Sequence, residues 1–211
     1  MIDSKTFWDK TAARYEKSPI RDLDAYKRKL AITQGYFKSN WSVLEFGCGT
    51  GSTAIHHSPH VNNIIATDIS DKMLEIAKQK MIDASIKNII FQQGTLDTLE
   101  LTNESFNAIL GLNILHLLQD IDTAIARTYE LLKPGGIFVS STVLLKKSNW
   151  RLILPIIQFL KLAPYVNPLD KQDLSNKLTQ AGFSIEKEWQ PGKGSVFFVA
   201  KKQASPNKTS P

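Results

Sequence analysis

The sequence feature that most constrains the fold is the stretch VLEFGCGTG at residues 43–51. A short apolar run leads directly into three glycines at alternate positions, Gly47, Gly49 and Gly51. Alternate glycines after a buried strand are typical of a tight turn whose backbone approaches a ligand so closely that a Cβ would obstruct it. The following residues, GSTAIHH, predict a helix start whose free N–H groups face that ligand. A glycine-rich loop that merely turns the chain is the alternative.

Short apolar strands and amphipathic helices alternate after this stretch. Ser70 is the predicted N-cap of a helix whose buried face carries Leu74 and Ala77. A later helix is predicted to end at LKPGG, residues 132–136. Further strands are predicted at residues 62–67, 87–94, 106–115 and 136–144. This alternation indicates a doubly wound α/β sheet.

The two ends of the chain differ from this central pattern. Residues 3–17 predict an amphipathic helix with Ser4 as its N-cap, and a second helix follows. The apolar positions of that second helix are Leu23, Tyr26, Leu30 and Phe37. Near the other end, residues 183–189 and 195–202 predict two strands joined by a Pro-Gly-Lys-Gly turn, which forms a hairpin rather than another crossover.

These elements predict the domain organisation. A helical cap is expected at residues 1–40 and the sheet domain at 41–202. Residues 148–163 are apolar nearly all round, so a helical lid is expected as an insertion at 145–168. Residues 203–211 are polar, contain two prolines and are expected to be a disordered tail.

Composition excludes several classes of function. The chain has 211 residues and a net charge of +6, and its basic residues are scattered rather than gathered in a stripe, so no nucleic-acid partner is expected. The single cysteine, Cys48, excludes an intrachain disulfide and a CxxC metal or redox site, and no metal is predicted. The polar N-terminus lacks a signal-peptide pattern, and no run of about 18 apolar residues occurs. A cytoplasmic protein without a transmembrane segment is therefore expected.

Asp68 narrows the choice of ligand for the glycine loop. It follows the loop by about 20 positions at the end of the next strand, where an acid grips an adenosine ribose. A turn or helix-capping aspartate is the alternative. Ser52 stands where a dinucleotide fold has its third glycine, and Glu45 would repel a pyrophosphate. Glu45 would favour a ligand that carries an ammonium and a sulfonium, so the loop suits a cationic adenosine derivative.

With these motifs, the chain resembles class I S-adenosylmethionine-dependent methyltransferases, in the broad group that includes small-molecule and quinone-biosynthesis enzymes. The resemblance covers residues 41–138 motif by motif, and the closing hairpin agrees with it. It implies a Rossmann-like, doubly wound sheet of seven strands, mostly parallel, with an antiparallel C-terminal hairpin strand. It also implies S-adenosyl-L-methionine as the methyl donor and S-adenosyl-L-homocysteine as the product.

The resemblance implies roles for individual residues. Glu45 and Gly47 would lie near the methionine end of the donor, with Gly49 and Gly51 along it. Asp68 would hold the ribose. The other residues implied in cofactor binding are Cys48, Ile69 beside the adenine, Met73, Leu112 and Tyr15, an aromatic residue for which core packing is an equal alternative.

One position departs from the family pattern. The third-strand motif of the family is often Gly-Asp-Ala, with the aspartate bound to the adenine amino group. Here Thr95 and Leu96 occupy that region. Thr95 could still accept from the amine, and Leu96 could pack on the ring. Asp97 is a weaker candidate, so the departure concerns cofactor affinity more than cofactor identity.

The acceptor side is predicted from fewer residues. Methyl transfer is an in-line displacement, and alignment of the reactants can supply about 7–11 kcal/mol. His116 follows the fourth strand, where a neutral imidazole could take a proton from an oxygen acceptor. A histidine packed under the next helix is the alternative. No catalytic base is obligatory for an acceptor that is already anionic or is an amine.

The apolar segment after the fifth strand indicates how polar the acceptor is. Trp150, Ile153 and Ile157 are the predicted lid residues, which indicates a small hydrophobic acceptor or a site shielded from water. A core helix, or contact of this segment with a membrane surface, are the alternatives. We therefore predict a methyltransferase for a small, apolar molecule. A non-catalytic S-adenosylmethionine-binding protein and a methyltransferase of RNA or protein stay open, and the sequence does not predict the oligomeric state.

Overall fold

The computed structural model describes residues 3–145 and 164–204. Within these ranges one seven-stranded sheet has the order β3-β2-β1-β4-β5-β7-β6. The strands are β1 Ser42–Phe46, β2 Asn63–Asp68, β3 Ile89–Gln93, β4 Phe106–Leu112, β5 Leu132–Val143, β6 Phe183–Gly192 and β7 Ser195–Lys202. The helices are α1 Ser4–Lys17, α2 Leu23–Gln34, α3 Ser52–His57, α4 Asp71–Asp83, α5 Ile121–Leu131 and α6 Lys171–Gln180.

The sheet confirms the predicted topology. Strand β1 pairs in parallel with both β2 and β4, so Val43 lies opposite Ile64 on one side and Ala108 on the other. Strand β7 pairs antiparallel with both β5 and β6. The chain order reverses between β1 and β4, which is where open α/β sheets bind ligands at the carboxyl ends of their strands. The site is therefore expected beyond Phe46 and Leu112.

Both faces of the sheet are covered, which explains the continuous apolar runs of its strands. Leu44 and Ile109 point to the face covered by α5 and α6. Val43 and Ile64 point to the opposite face, where α3 and α4 pack. All four of these side chains are fully buried. The resulting two-sided core holds β1 rigidly, and β1 carries the glycine loop at its end.

Several local predictions are corrected by the structure. The N-cap of α1 is Asp3, whose carboxylate accepts from the backbone N–H groups of Lys5 and Thr6, whereas Ser4 is the first helical residue. A carboxylate can serve two free N–H groups at once, which a hydroxyl rarely does. Phe37 lies beyond the end of α2, after the turn at Gly35.

The boundaries of β4 and β5 also differ from prediction. Strand β5 already begins at Leu132, and Lys133–Gly136 form a bulge across which the pairing with β4 shifts. Gly135 takes a φ of +78° within this bulge. Strand β4 ends at Leu112 because Asn113, with a φ of +57°, turns the chain away. The predicted lid residues Trp150, Ile153 and Ile157 lie outside the described residues, as does the tail from residue 205 onward.

Candidate functional site

The glycine loop connects β1 to α3, and its three glycines have different surroundings. All three take left-handed backbone conformations, with φ values of 64° at Gly47, 55° at Gly49 and 74° at Gly51. A Cβ on Gly51 would lie 2.8 Å from the Cβ of Ala77, so this glycine is needed for close packing against α4. Around Gly49 the space is open, and the nearest atom to a Cβ would be Tyr15 Cε1 at 3.9 Å. The loop therefore presents backbone to the cleft at Gly49.

Asp68, at the end of β2, holds the glycine loop in place. Its Oδ2 accepts a hydrogen bond from the backbone N–H of Gly49 at 2.9 Å, and its Oδ1 accepts from the N–H of Ser70 at 2.9 Å. Burial raises the pKa of Asp68, although these two backbone hydrogen bonds act in the opposite direction. Each carboxylate oxygen keeps a second lone pair, so Asp68 can accept further hydrogen bonds from a ligand.

Glu45 is the least satisfied carboxyl group of this region. Its residue is only 3% exposed, and Oε2 has no hydrogen-bond partner within the described part of the chain. Burial, together with the nearby Asp68, raises the pKa of Glu45 to about 8. A buried carboxyl oxygen without a partner costs about 1–3 kcal/mol, and native structures keep such groups mostly where they serve a function. A cationic ligand would satisfy this oxygen and favour its ionised form.

A cleft of about 850 Å³ lies over the carboxyl ends of the strands, a size within the usual range for ligand pockets. Its walls come from the glycine loop, the α1–α2 region, the ends of β4 and β5, and the β6–β7 hairpin. Six of the predicted cofactor residues line it: Tyr15, Glu45, Gly47, Cys48, Gly49 and Leu112. Glu45, Gly47 and Gly49, three of the four residues predicted around the methionine end of the donor, are thus brought together in the cleft.

The residues predicted for the adenosine end lie elsewhere. Met73 and Leu96 are buried, at 2% and 5% exposure. The Thr95 hydroxyl lies 3.3 Å from the Thr98 hydroxyl, and Ile69 is half-buried beside Asp68. None of these residues lines the cleft, and neither do Gly51 and Asp68 themselves. A role in adenine or ribose binding stays a prediction for this group.

His116 does not reach the cleft either. It lies in a short 3-10 turn after β4, is 9% exposed and does not line the cleft. Burial lowers its pKa to about 4, so the imidazole is neutral at pH 7. Within the described residues, its Nδ1 has no hydrogen-bond partner. The catalytic role of His116 stays an untested prediction, and this surrounding gives it no contact with an acceptor.

Three cleft residues were missed at the level of sequence. Lys29 Nζ donates a hydrogen bond to Ser141 Oγ at 2.7 Å, and Ser141 Oγ donates to Asn113 Oδ1 at 3.2 Å. All three line the cleft. Lys29 was indistinguishable from other surface lysines because its partner is 112 positions away. The one local sequence signal for this group was the polar Ser141 within the apolar run of β5.

The described residues contain neither a metal-binding group of side chains nor a membrane-spanning helix. Within residues 3–145 and 164–204, no group of three or more His, Cys, Asp or Glu side chains is placed to hold a metal ion. None of the helices in the same ranges has the length and apolar character needed to cross a membrane. The single cysteine, Cys48, is buried, and burial raises the pKa of its thiol well above the usual value.

Comparison with known proteins gives concordant matches. Residues 43–136 match the family described as "Methyltransferase domain". The uncharacterized methyltransferase YcgJ of Bacillus subtilis is 31% identical over 110 residues, which cover 52% of this chain and 44% of that protein. The demethylmenaquinone methyltransferase of Leptospira interrogans is 29% identical over 133 residues, 61% of this chain and 53% of that protein. The chain thus spans about half the length of these curated relatives.

The fold is also shared with a solved structure. The crystal structure of YcgJ has a TM-score of 0.72 to this chain at 17% identity, and the match covers 85% of this chain and all of that one. At this identity the structural likeness shows the fold alone. The chain therefore shares the fold of this solved protein, and its residues 43–136 are similar to methyltransferase domains.

Proposed function

We propose that this protein transfers a methyl group from S-adenosyl-L-methionine to a small, largely apolar acceptor. The observation that carries the proposal is Glu45, a buried carboxyl group with an unpartnered oxygen that lines the cleft beside the open backbone of Gly49. A cation is the ligand that such a carboxyl group favours. S-adenosyl-L-methionine carries an ammonium and a sulfonium, whereas a nucleotide phosphate would be repelled.

The donor would be held by residues from two neighbouring strands. Glu45 and the backbone around Gly49 would bind its methionine end, and Tyr15 would cover that part of the loop. Asp68 would accept hydrogen bonds from the ribose hydroxyls through its free lone pairs. The predicted contacts to the adenine are Ile69, Thr95 and Leu96, and Met73 is a further predicted cofactor residue. The bound donor supplies an electrophilic methyl group.

The chain's contribution to the reaction would be alignment and exclusion of water. A lone pair of the acceptor forms the new bond to the methyl carbon, while the carbon–sulfur bond breaks and its electron pair stays on sulfur. Any proton that the acceptor carries leaves to water. Holding both partners in line can contribute about 7–11 kcal/mol. No side chain of the cleft needs to form a covalent bond.

Two observations support a small, apolar acceptor. Ile20, Leu30 and Leu112 contribute apolar side chains to the cleft walls. Among the relatives, several are demethylmenaquinone methyltransferases, whose name describes a small-molecule acceptor. A macromolecular acceptor has no comparable support, because the basic residues are scattered along the chain.

Calorimetric titration with S-adenosyl-L-methionine and S-adenosyl-L-homocysteine tests the proposal. We expect binding in the micromolar range, and we expect Asp68→Asn to weaken it by about tenfold to a hundredfold, since an amide replaces one of the two accepting oxygens by an N–H donor. Asp83→Asn is the matched control because Asp83 lies exposed at the end of α4, where its carboxylate accepts a hydrogen bond from Gln79. Absence of binding by the unmodified protein, or full binding by Asp68→Asn, would contradict the proposal.

A further inference from the structure

We propose that the acceptor carries an anionic oxygen on an apolar body, and that Lys29 and Asn113 bind this oxygen. The inference rests on the proposed function, because it specifies the substrate class of the same cleft. It is carried by the hydrogen-bonded group Lys29–Ser141–Asn113, which was absent from the sequence-based prediction.

Lys29 has unused hydrogen-bonding capacity and an uncompensated charge. It lies on α2, is half-buried and donates one hydrogen bond, to Ser141 Oγ. In the part of the chain that the structure describes, it forms no ion pair. An ammonium has three N–H donors, so two remain for a ligand. Burial lowers the pKa of Lys29, and the charge of Asp22 acts in the opposite direction.

Asn113 is held in a position to donate to the same ligand. Its backbone N–H donates to the carbonyl of Ser141 at 2.6 Å, which anchors the turn after β4. Ser141 Oγ accepts from Lys29, so its own hydrogen is directed to Asn113 Oδ1. This hydrogen bond fixes the side-chain amide. Its Nδ2 has no partner among the described residues and is available as a donor.

Ser141 is the fixed junction of the group. It is 1% exposed and lies in β5, between β4 and β7 in the sheet. Lys29 and Asn113 both lie within 3.2 Å of its Oγ, so their free donors are close enough for one carboxylate or phenolate to accept from both.

The position of the group agrees with an acceptor site rather than a donor site. Glu45 lies on β1, whereas Ser141 lies on β5, and β4 separates the two strands. The cleft thus has a carboxyl group at Glu45, whose ionised form a cationic ligand would favour, and an ammonium group at Lys29, with Asp22 also in its lining. The apolar side chains of Ile20 and Leu30 lie along the same cleft. An anionic group would bind at Lys29, with the apolar body of the molecule against these side chains.

Matched probes test this inference. Binding of 2-naphthoate and of its neutral analogue 2-naphthamide is measured by calorimetry, with and without saturating S-adenosyl-L-homocysteine. We expect the protein to prefer 2-naphthoate by about tenfold or more, the usual value of a hydrogen bond to a charged group. Lys29→Met is expected to abolish the preference. Lys29→Arg keeps the charge and should retain part of it.

Two further variants separate an effect on 2-naphthoate binding from a general effect on the fold. Lys27→Met removes an exposed lysine of the same helix, which does not line the cleft, and should leave the preference unchanged. Asn113→Asp places a carboxylate beside Lys29 and should weaken 2-naphthoate at least tenfold while sparing 2-naphthamide.

The outcomes decide between the two proposals. If Lys29 merely ties α2 to β5, Lys29→Met will lower stability and leave the ratio of the two probes unchanged, which overturns the inference. Equal binding of the two probes by the unmodified protein, or binding of neither, also overturns it. Absence of S-adenosyl-L-homocysteine binding would instead contradict the proposed function, and the titrations without that compound would still decide the role of Lys29.

Discussion

The two ends of the cleft are built in opposite ways. The donor end contains two carboxyl groups and is local in sequence, because Glu45, Gly49 and Asp68 come from the consecutive elements β1, the glycine loop, α3 and β2. The acceptor end is positive and is assembled from distant segments, with Lys29 on α2 and Ser141 on β5. The donor end is also packed into the core, since Gly51 lies in close contact with Ala77 of α4. Lys29, by contrast, is tied to the sheet by its hydrogen bond to Ser141. We expect substitutions at the donor end to cost both stability and binding, and those at the acceptor end to change selectivity.

The largest effect is expected at Gly51. In Gly51→Ala the new Cβ would lie 2.8 Å from Ala77 Cβ at a φ of 74°, so the left-handed backbone and the overpacking together should lower the free energy of unfolding by about 2–4 kcal/mol. Gly135→Ala is the matched control, since Gly135 has a φ of 78° but open space around it. It should lose only about 1–2 kcal/mol. If urea unfolding gave the same loss of unfolding free energy for Gly51→Ala and Gly135→Ala, close packing at Gly51 would contribute nothing to stability.

The next effect concerns Glu45, where stability and binding should change in opposite directions. The folded-state pKa of about 8 lies above the ordinary value of 4.5, so this group destabilises the ligand-free fold increasingly as the pH rises from about 5 to 8. Glu45→Gln should therefore raise the free energy of unfolding at pH 7 by up to about 3 kcal/mol and have little effect at pH 4.5. Urea unfolding at the two pH values measures this.

Binding provides the second half of that experiment. A cationic donor prefers ionised Glu45, so the affinity of the unmodified protein for S-adenosyl-L-methionine should rise as the pH increases from 6 toward 8. In Glu45→Gln this rise should be lost. A parallel rise in both proteins would assign the pH dependence to another group.

The smallest effect is expected at the acceptor end. Ser141→Ala removes the hydrogen bond from Lys29 to the sheet and the one from Ser141 to Asn113, and it should cost about 1–2 kcal/mol of unfolding free energy. Affinity for S-adenosyl-L-homocysteine should not change. Ser140→Ala is the neighbouring control, because Ser140 Oγ is buried with no partner in the described part of the chain, and its removal should be neutral or stabilising. A loss of cofactor affinity in Ser141→Ala would show that the two ends are coupled.

The same contrast explains what could be predicted from sequence. The strand order, the hairpin and the Asp68 contact to the loop follow from local patterns, because β1, the loop and β2 lie within about 25 residues. Lys29 could not be distinguished, since only the folded chain brings it to Ser141. Sequence reasoning expected His116 near the reacting methyl because it follows β4. In the structure a left-handed turn at Asn113 leads into a 3-10 turn in which His116 is 9% exposed, and its predicted role stays untested.

Ser70 links the N-terminal helix to the donor site. Its N–H donates to Asp68, its hydroxyl accepts from the N–H of Met73, and the same hydroxyl donates to Asp9 of α1 at 2.7 Å. Asp9 is also paired with Lys5. Helix α1 carries Tyr15 over the glycine loop, so withdrawing α1 would leave the buried hydroxyl of Ser70 without its acceptor. Ion pairs of Lys5 with Asp71 and of Glu16 with Lys80 also join α1 to α4, so the helix that places Tyr15 over the glycine loop is fastened near both of its ends.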